Sequence, residues 1–116
     1  RGIGAPESRL DAAVERGRAY LAAGADCVFV PGVTDRATIG ALVTGIGGPV
    51  NILAVAGSPS IHELESLGVA RVSLGSGPAR AALSMMRDLA RELKSAGTYS
   101  FASRALPYAE VNELMK

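Results

Sequence analysis

The stretch LGVARVSLGSGPARAAL, residues 67–83, decides the fold. An apolar run, Ala70–Leu74, stops at Gly75-Ser76-Gly77-Pro78, and a helix-like run begins at once. Proline suits the first turn of a helix, where its missing N–H is not needed. Strand, glycine turn and helix make one βα unit, and the same order recurs upstream. Asp26–Val30 (DCVFV) and Val50–Val55 (VNILAV) are also short, rich in β-branched residues and preceded by Gly or Pro. Their continuous hydrophobicity predicts parallel strands covered on both faces.

Helices fit between these runs. The first is expected from Ser8 to Ala23, with Ser8 as N-cap and Leu10, Ala13, Val14, Gly17 and Leu21 inward. Gly24 ends it. The second runs from Asp35 to Ile46, with Asp35 as its cap and Ile39, Leu42, Val43 and Ile46 inward. Ser60-Ile61-His62-Glu63 is a capping-box pattern, so a short helix starts at Ser60 and closes at Gly68. The fourth starts at Pro78 and reaches Ser95, and a last short one follows Pro107. The order is αβαβαβα plus a terminal helix. Right-handed crossovers make such a sheet parallel. Three parallel strands leave two raw edges, which a partner must cover or further strands must complete.

Composition narrows the function classes. The chain has 116 residues, is 48% apolar and carries a net charge of +1, which suits one close-packed α/β domain. Basic residues do not recur with interleaved aromatics, so no nucleic-acid partner is expected. No apolar stretch has the length of a membrane span, so no membrane partner is expected. A lone cysteine, Cys27, points to a reducing, cytoplasmic setting and reads as a small buried hydrophobe. The opening Arg1-Gly2-Ile3-Gly4, without an initiator methionine, leads to the expectation that a longer protein has been cut.

Three segments carry a family resemblance: LDAAVERGRAYLAAGADCVFVPGVTD (10–35), GGPVNILA (47–54) and LGVARVSLGSGPARAAL. With the closing ALPYAEVNELMK they resemble the C-terminal part of the isocitrate lyase/phosphoenolpyruvate mutase superfamily. The nearest groups are its carboxyphosphonoenolpyruvate-mutase-like and 2-methylisocitrate-lyase-like members. The resemblance implies that the three strands are the sixth, seventh and eighth of a (β/α)8 TIM barrel. It implies a magnesium-dependent lyase or mutase acting on a C–C or C–P bond beside a 2-oxo-acid enolate. The strand ending in a carboxylate-binding Arg, the magnesium-anchoring aspartates and the Lys-Lys-Cys-Gly-His lid would lie before Arg1. The main catalysts, and every ligand of Mg2+, are therefore expected outside this chain. One departure matters: mutases carry a His and methylisocitrate lyases a Glu near the loop where Pro31 or Gly32 stands here. That loss of a polar group weighs against both of those substrates.

Barrel active sites sit where strands end and βα loops begin. In this chain those places are 31–34, 56–60 and 75–78, so the candidate substrate-binding residues are Gly32, Asn51, Ser58, Gly75 and Ser76. The amides of Gly75-Ser76-Gly77 could hold an anion at a helix start, but the preferred reading is a tight turn needing Gly, a corner on the rim of the pocket with Ser76 near it. They are no P-loop, since no Gly-Lys-Ser/Thr follows, and Arg80 fills the third glycine position of a dinucleotide fingerprint. Asn51 is either a substrate contact or a hydrogen-bonded core residue. His62, beside a helix cap, reads as exposed and has no companions at metal-ligand spacing. Arg80 and Arg87 share one side of the fourth helix and read as solvated, while Met85-Met86 belongs with Leu83, Leu89 and Leu93 in packing.

Residues 1–97 thus read as the C-terminal half of a barrel, and 98–116 as a tail that docks or oligomerises. Leu106-Pro107-Tyr108 is followed by Val111, Leu114 and Met115, an apolar stripe on a helix too short to be stable alone. By the resemblance, this tail is exchanged between neighbouring barrels. Expected partners are a small carboxylate or phosphonate substrate, the N-terminal half of the barrel and further copies in a homo-oligomer. Two alternatives stay open. One is a phosphate-binding biosynthetic barrel using Ala56-Gly57-Ser58 and Gly75-Ser76-Gly77; the other is a non-catalytic α/β assembly module.

Overall fold

A computed structural model describes residues 6–116. The elements follow the expected order: α1 Pro6–Ala22, β1 Val28–Val30, α2 Arg36–Ile46, β2 Val50–Leu53, α3 Ile61–Ser66, β3 Arg71–Ser73 and α4 Gly77–Ser95. A 3-10 turn, Ser100–Arg104, and α5, Tyr108–Leu114, complete them. Between Gly75 and Ser76 the chain divides into two compact units.

The first unit holds the sheet, which is parallel in the order β1-β2-β3. Val28 lies beside Val50, and Asn51 beside Arg71. Residues on the parity of Val28, Val50 and Ile52 face the helices and join Ile39, Leu42, Ile46 and Leu64 in the core. Leu10, Ala13, Val14 and Leu21 of α1 pack against that cluster, as the inward stripe predicts. Helices α1 and α2 approach closely because glycines stand at the crossing. A Cβ on Gly17 would lie 2.8 Å from Ile46, and one on Gly45 would lie 2.8 Å from Val14. The opposite sheet face, with Phe29, Asn51, Arg71 and Ser73, points away from the core that α1, α2 and α3 build, and Phe29 is 49% exposed. The expected cover on both faces is met within this chain on the helical side, and Asn51 is buried on the other.

Caps define the helix starts. Asp35 accepts a hydrogen bond from Thr38 N–H at 2.8 Å. Gly47, at φ +72°, closes α2. At α3 the capping box is complete: Ser60 Oγ accepts from Glu63 N–H, and Glu63 accepts from Ser60 N–H at 2.8 Å. Ser8 is not the cap of α1. It lies inside the helix, which already includes Pro6, a residue suited to a first turn. Cys27 is half-buried rather than enclosed; it lies two residues before Phe29 and so shares the alternation of the Phe29 face.

The second unit holds α4, the 3-10 turn and α5, none of which contains a buried residue. Glu92 organises it, accepting from Thr98 Oγ1 at 2.7 Å, Ser100 N–H at 2.6 Å and Ser100 Oγ at 2.7 Å. Among the described residues no helix is long and apolar enough to cross a membrane.

Candidate active site

Parallel strands send their βα loops to one end of the sheet, and four of the candidate residues, Gly32, Ser58, Gly75 and Ser76, lie in those loops. Gly32 follows β1 at φ +77°, a conformation that favours glycine. It lines a cavity of about 490 Å³ with Arg9, Leu10, Arg16, Val30 and Thr38. That cavity lies between α1 and the β1–α2 connection, on the helical side of the sheet. Ser58 closes its own loop: its N–H donates to the Val55 carbonyl at 3.0 Å, and its Oγ accepts from Val55 N–H at 3.0 Å. Gly75 turns out of β3 at φ +53°, where a Cβ would stand 3.3 Å from Leu53. Ser76 opens α4, and its hydroxyl makes no capping bond.

Asn51 lies elsewhere. It is the second residue of β2, toward the strand starts, and is 3% exposed. Its amide nitrogen donates to Ser73 Oγ at 3.1 Å, and its oxygen accepts from Arg71 Nε at 3.2 Å. Arg71, Asn51 and Ser73 thus form a polar ladder across the face opposite the α1–α3 core. The structure brings Asn51 together with these two residues, not with Gly32, Ser58 or Gly75. Arg71 and Ser73 are not among the candidates that strand-end position selects. The signal was there: they alternate within the apolar run ARVSL, and period 2 puts them on one face.

The shifted carboxylates belong to helix caps. Backbone N–H donation from Thr38 holds Asp35 below the usual carboxylate range. Ser60 N–H and hydroxyl do the same for Glu63, with the Arg36 guanidinium beside it. Hydrogen bonds from Thr98 and Ser100 lower Glu92. Each shift is accounted for by a cap or turn, so none marks a general acid or base. His62 is exposed on α3. Among the described residues no group of three or more His, Cys, Asp or Glu is placed to hold a metal ion. The residues in hand do not fit a magnesium site.

The sequence matches the family of phosphoenolpyruvate phosphomutase over residues 3–94. The chain belongs to that family. Its resemblance to the isocitrate lyase/phosphoenolpyruvate mutase superfamily is thereby borne out. Among curated proteins, an uncharacterized protein of Mycobacterium tuberculosis, from strains H37Rv and CDC 1551, is 41% identical over 98 residues. That match covers 84% of this chain and 36% of the relative. The crystal structure of a proposed lyase/mutase from Burkholderia cenocepacia J2315 is 40% identical with a TM-score of 0.84, over 91% of this chain and 39% of that one. A proposed phosphonomutase from the same organism is 43% identical, TM-score 0.70, over 76% and 35%. Oxaloacetate acetylhydrolase with its product oxalate, at 20% identity and TM-score 0.72 over 84% and 35%, shares the fold. The chain therefore spans little more than a third of the length of these relatives and solved structures, and its three parallel strands are part of a TIM barrel.

Proposed function

We propose that the complete protein is a lyase or phosphonomutase that makes or breaks a C–C or C–P bond of a 2-oxo-acid-related substrate through an enolate. The observation that supports this most is the 40% identity and TM-score of 0.84 to a proposed lyase/mutase. Mg2+ is the cofactor of this proposal, with its ligands outside this chain, and no step is assigned to it from the residues described. The chain's own contribution is structural and local. Gly32, Ser58 and Gly75 shape the loops at the strand ends, where barrel enzymes bind substrate. Gly turns there let backbone amides approach a carboxylate or phosphonate without side-chain obstruction. Ser76, next in the chain and with an unengaged hydroxyl, is the further polar group of this set.

The test uses the full-length protein with magnesium and a panel of 2-oxo-acid adducts and phosphonates. Release of a 2-oxo acid, or exchange of phosphonate and phosphate-ester signals in 31P NMR, is the expected result. Tight binding of sugar phosphates with neither reaction would instead favour the phosphate-binding barrel. We further propose that the tail serves a homo-oligomer. Deleting residues 98–116 from the full-length protein is expected to lower its mass in light scattering, and an unchanged assembly would refute this.

A further inference from the structure

We propose that Arg71 is one half of an ion pair inside the barrel, whose other half is an Asp or Glu on a strand outside this chain. The inference rests on the fold and not on the proposed reaction. Arg71 opens β3, and its side chain lies on the face away from the helices, since its Nε reaches Asn51 on that face at 3.2 Å. In a TIM barrel that face is the interior, filled by layers of side chains. A guanidinium stays charged in any such setting. Burying it without a countercharge is strongly unfavourable, whereas a carboxylate can meet its fork with two parallel hydrogen bonds.

Nothing in the described chain supplies that countercharge. Arg71 takes part in none of the ion pairs among the described residues. Asn51 is neutral, and both ends of its amide are already engaged, one by Arg71 and one by Ser73. The ladder thus fixes the aim of the guanidinium and leaves its terminal nitrogens for another partner. A substrate anion is the wrong partner by position: Arg71 is at the start of its strand, whereas substrate binds at the strand ends. The solved relative has ample further chain, since this sequence covers 39% of it. Charge complementarity and position together select a carboxylate from the strands that complete the interior.

Asn51 and Ser73 are positioning residues in this scheme. The test is a crystal structure of the full-length protein, with melting curves of its Arg71→Met and Arg71→Lys variants. A carboxylate oxygen within about 4 Å of an Arg71 terminal nitrogen is expected. Arg71→Met strands that carboxylate and is expected to lower Tm by roughly 6–12 °C. Arg71→Lys keeps the charge but not the fork and falls between. Replacing the carboxylate by its amide in the Arg71→Met background should restore most of the loss. Oxalate, used as an anionic probe, should raise the Tm of wild type and Arg71→Lys alike. A wild-type structure with only water or a bound anion at Arg71 would overturn the proposal. So would an Arg71→Met variant of unchanged Tm, or loss of the oxalate effect in Arg71→Lys with its own Tm intact. If Arg71→Met fails to fold, the wild-type structure and the Arg71→Lys curves still decide.

Discussion

Helices α2 and α4 both carry an apolar stripe and have opposite fates. Both carry apolar residues at helical spacing and both end cleanly. In α2, Ile39, Leu42 and Ile46 are buried against the sheet. In α4, Leu83 is 63% and Met86 65% exposed, and no residue is buried. Periodicity announces a face to be covered, but it does not say by what. For α2 the cover lies within the neighbouring βα units. For α4, its own unit supplies no such cover.

The largest expected effect tests that contrast directly. In the chain by itself, Leu42→Ala should cost about 2–5 kcal/mol through the cavity it leaves. Leu83→Ala should cost less than about 0.5 kcal/mol there, because an exposed side chain loses little contact. Denaturant titration of both variants checks this, and equal losses would break the comparison. In the full-length protein the gap between the two should narrow.

Glycines give the next contrast. Gly45→Ala should cost about 1–3 kcal/mol, since the new methyl meets Val14 and cores resist overpacking. Gly77 has open space around it, so Gly77→Ala should be neutral or slightly stabilising. If Gly77→Ala leaves Tm unchanged but weakens turnover in the full-length protein, the turn borders the substrate. Serine caps follow at smaller scale. Ser60→Ala removes a completed capping box and should cost about 1 kcal/mol. Ser76→Ala should change thermal stability little, because that hydroxyl caps nothing.

The smallest expected effect is acid sensitivity, and it should appear in both units. Glu63 and Glu92 are held below the usual glutamate range by hydrogen bonds to their ionised forms. The stabilisation is therefore present above the unfolded glutamate pKa and is lost as pH falls through the folded value. Amide protection, taken relative to the unfolded exchange rate at each pH, should fall in acid at α3 and at residues 98–104. Glu63→Gln should abolish that response only in α3, and Glu92→Gln only in the second segment. A shared response in both places would mean the two units open together.

Much of this was legible in the sequence because the signals are local. Glycine and proline punctuation, the Ser60–Glu63 box and the Asp35 cap marked the elements, and the structure keeps their order. The start of α1 was misplaced because Pro6, a first-turn residue, competed with Ser8, a capping residue. The 3-10 turn at Ser100–Arg104 depends on Glu92, eight residues away from Ser100, and no local pattern announces it. The polar ladder was missed for a different reason. Asn51, Arg71 and Ser73 meet only once the parallel register is known, and each looks incidental in its own strand. Asn51 was noticed, but its partners come from the next βα unit.

The strand order β1-β2-β3 follows the chain order, so no strand is borrowed from a distant segment. A sheet wired this way has two seams, the free side of β1 and the free side of β3. A protein with two seams can be taken apart and put back by restoring two strand pairings. Expressed beside a second polypeptide bearing the remaining strands, this chain is suited to reassembly in trans. Recovery of a closed barrel from the two pieces would then report on seam pairing and helix packing, free of the loop that ordinarily joins them.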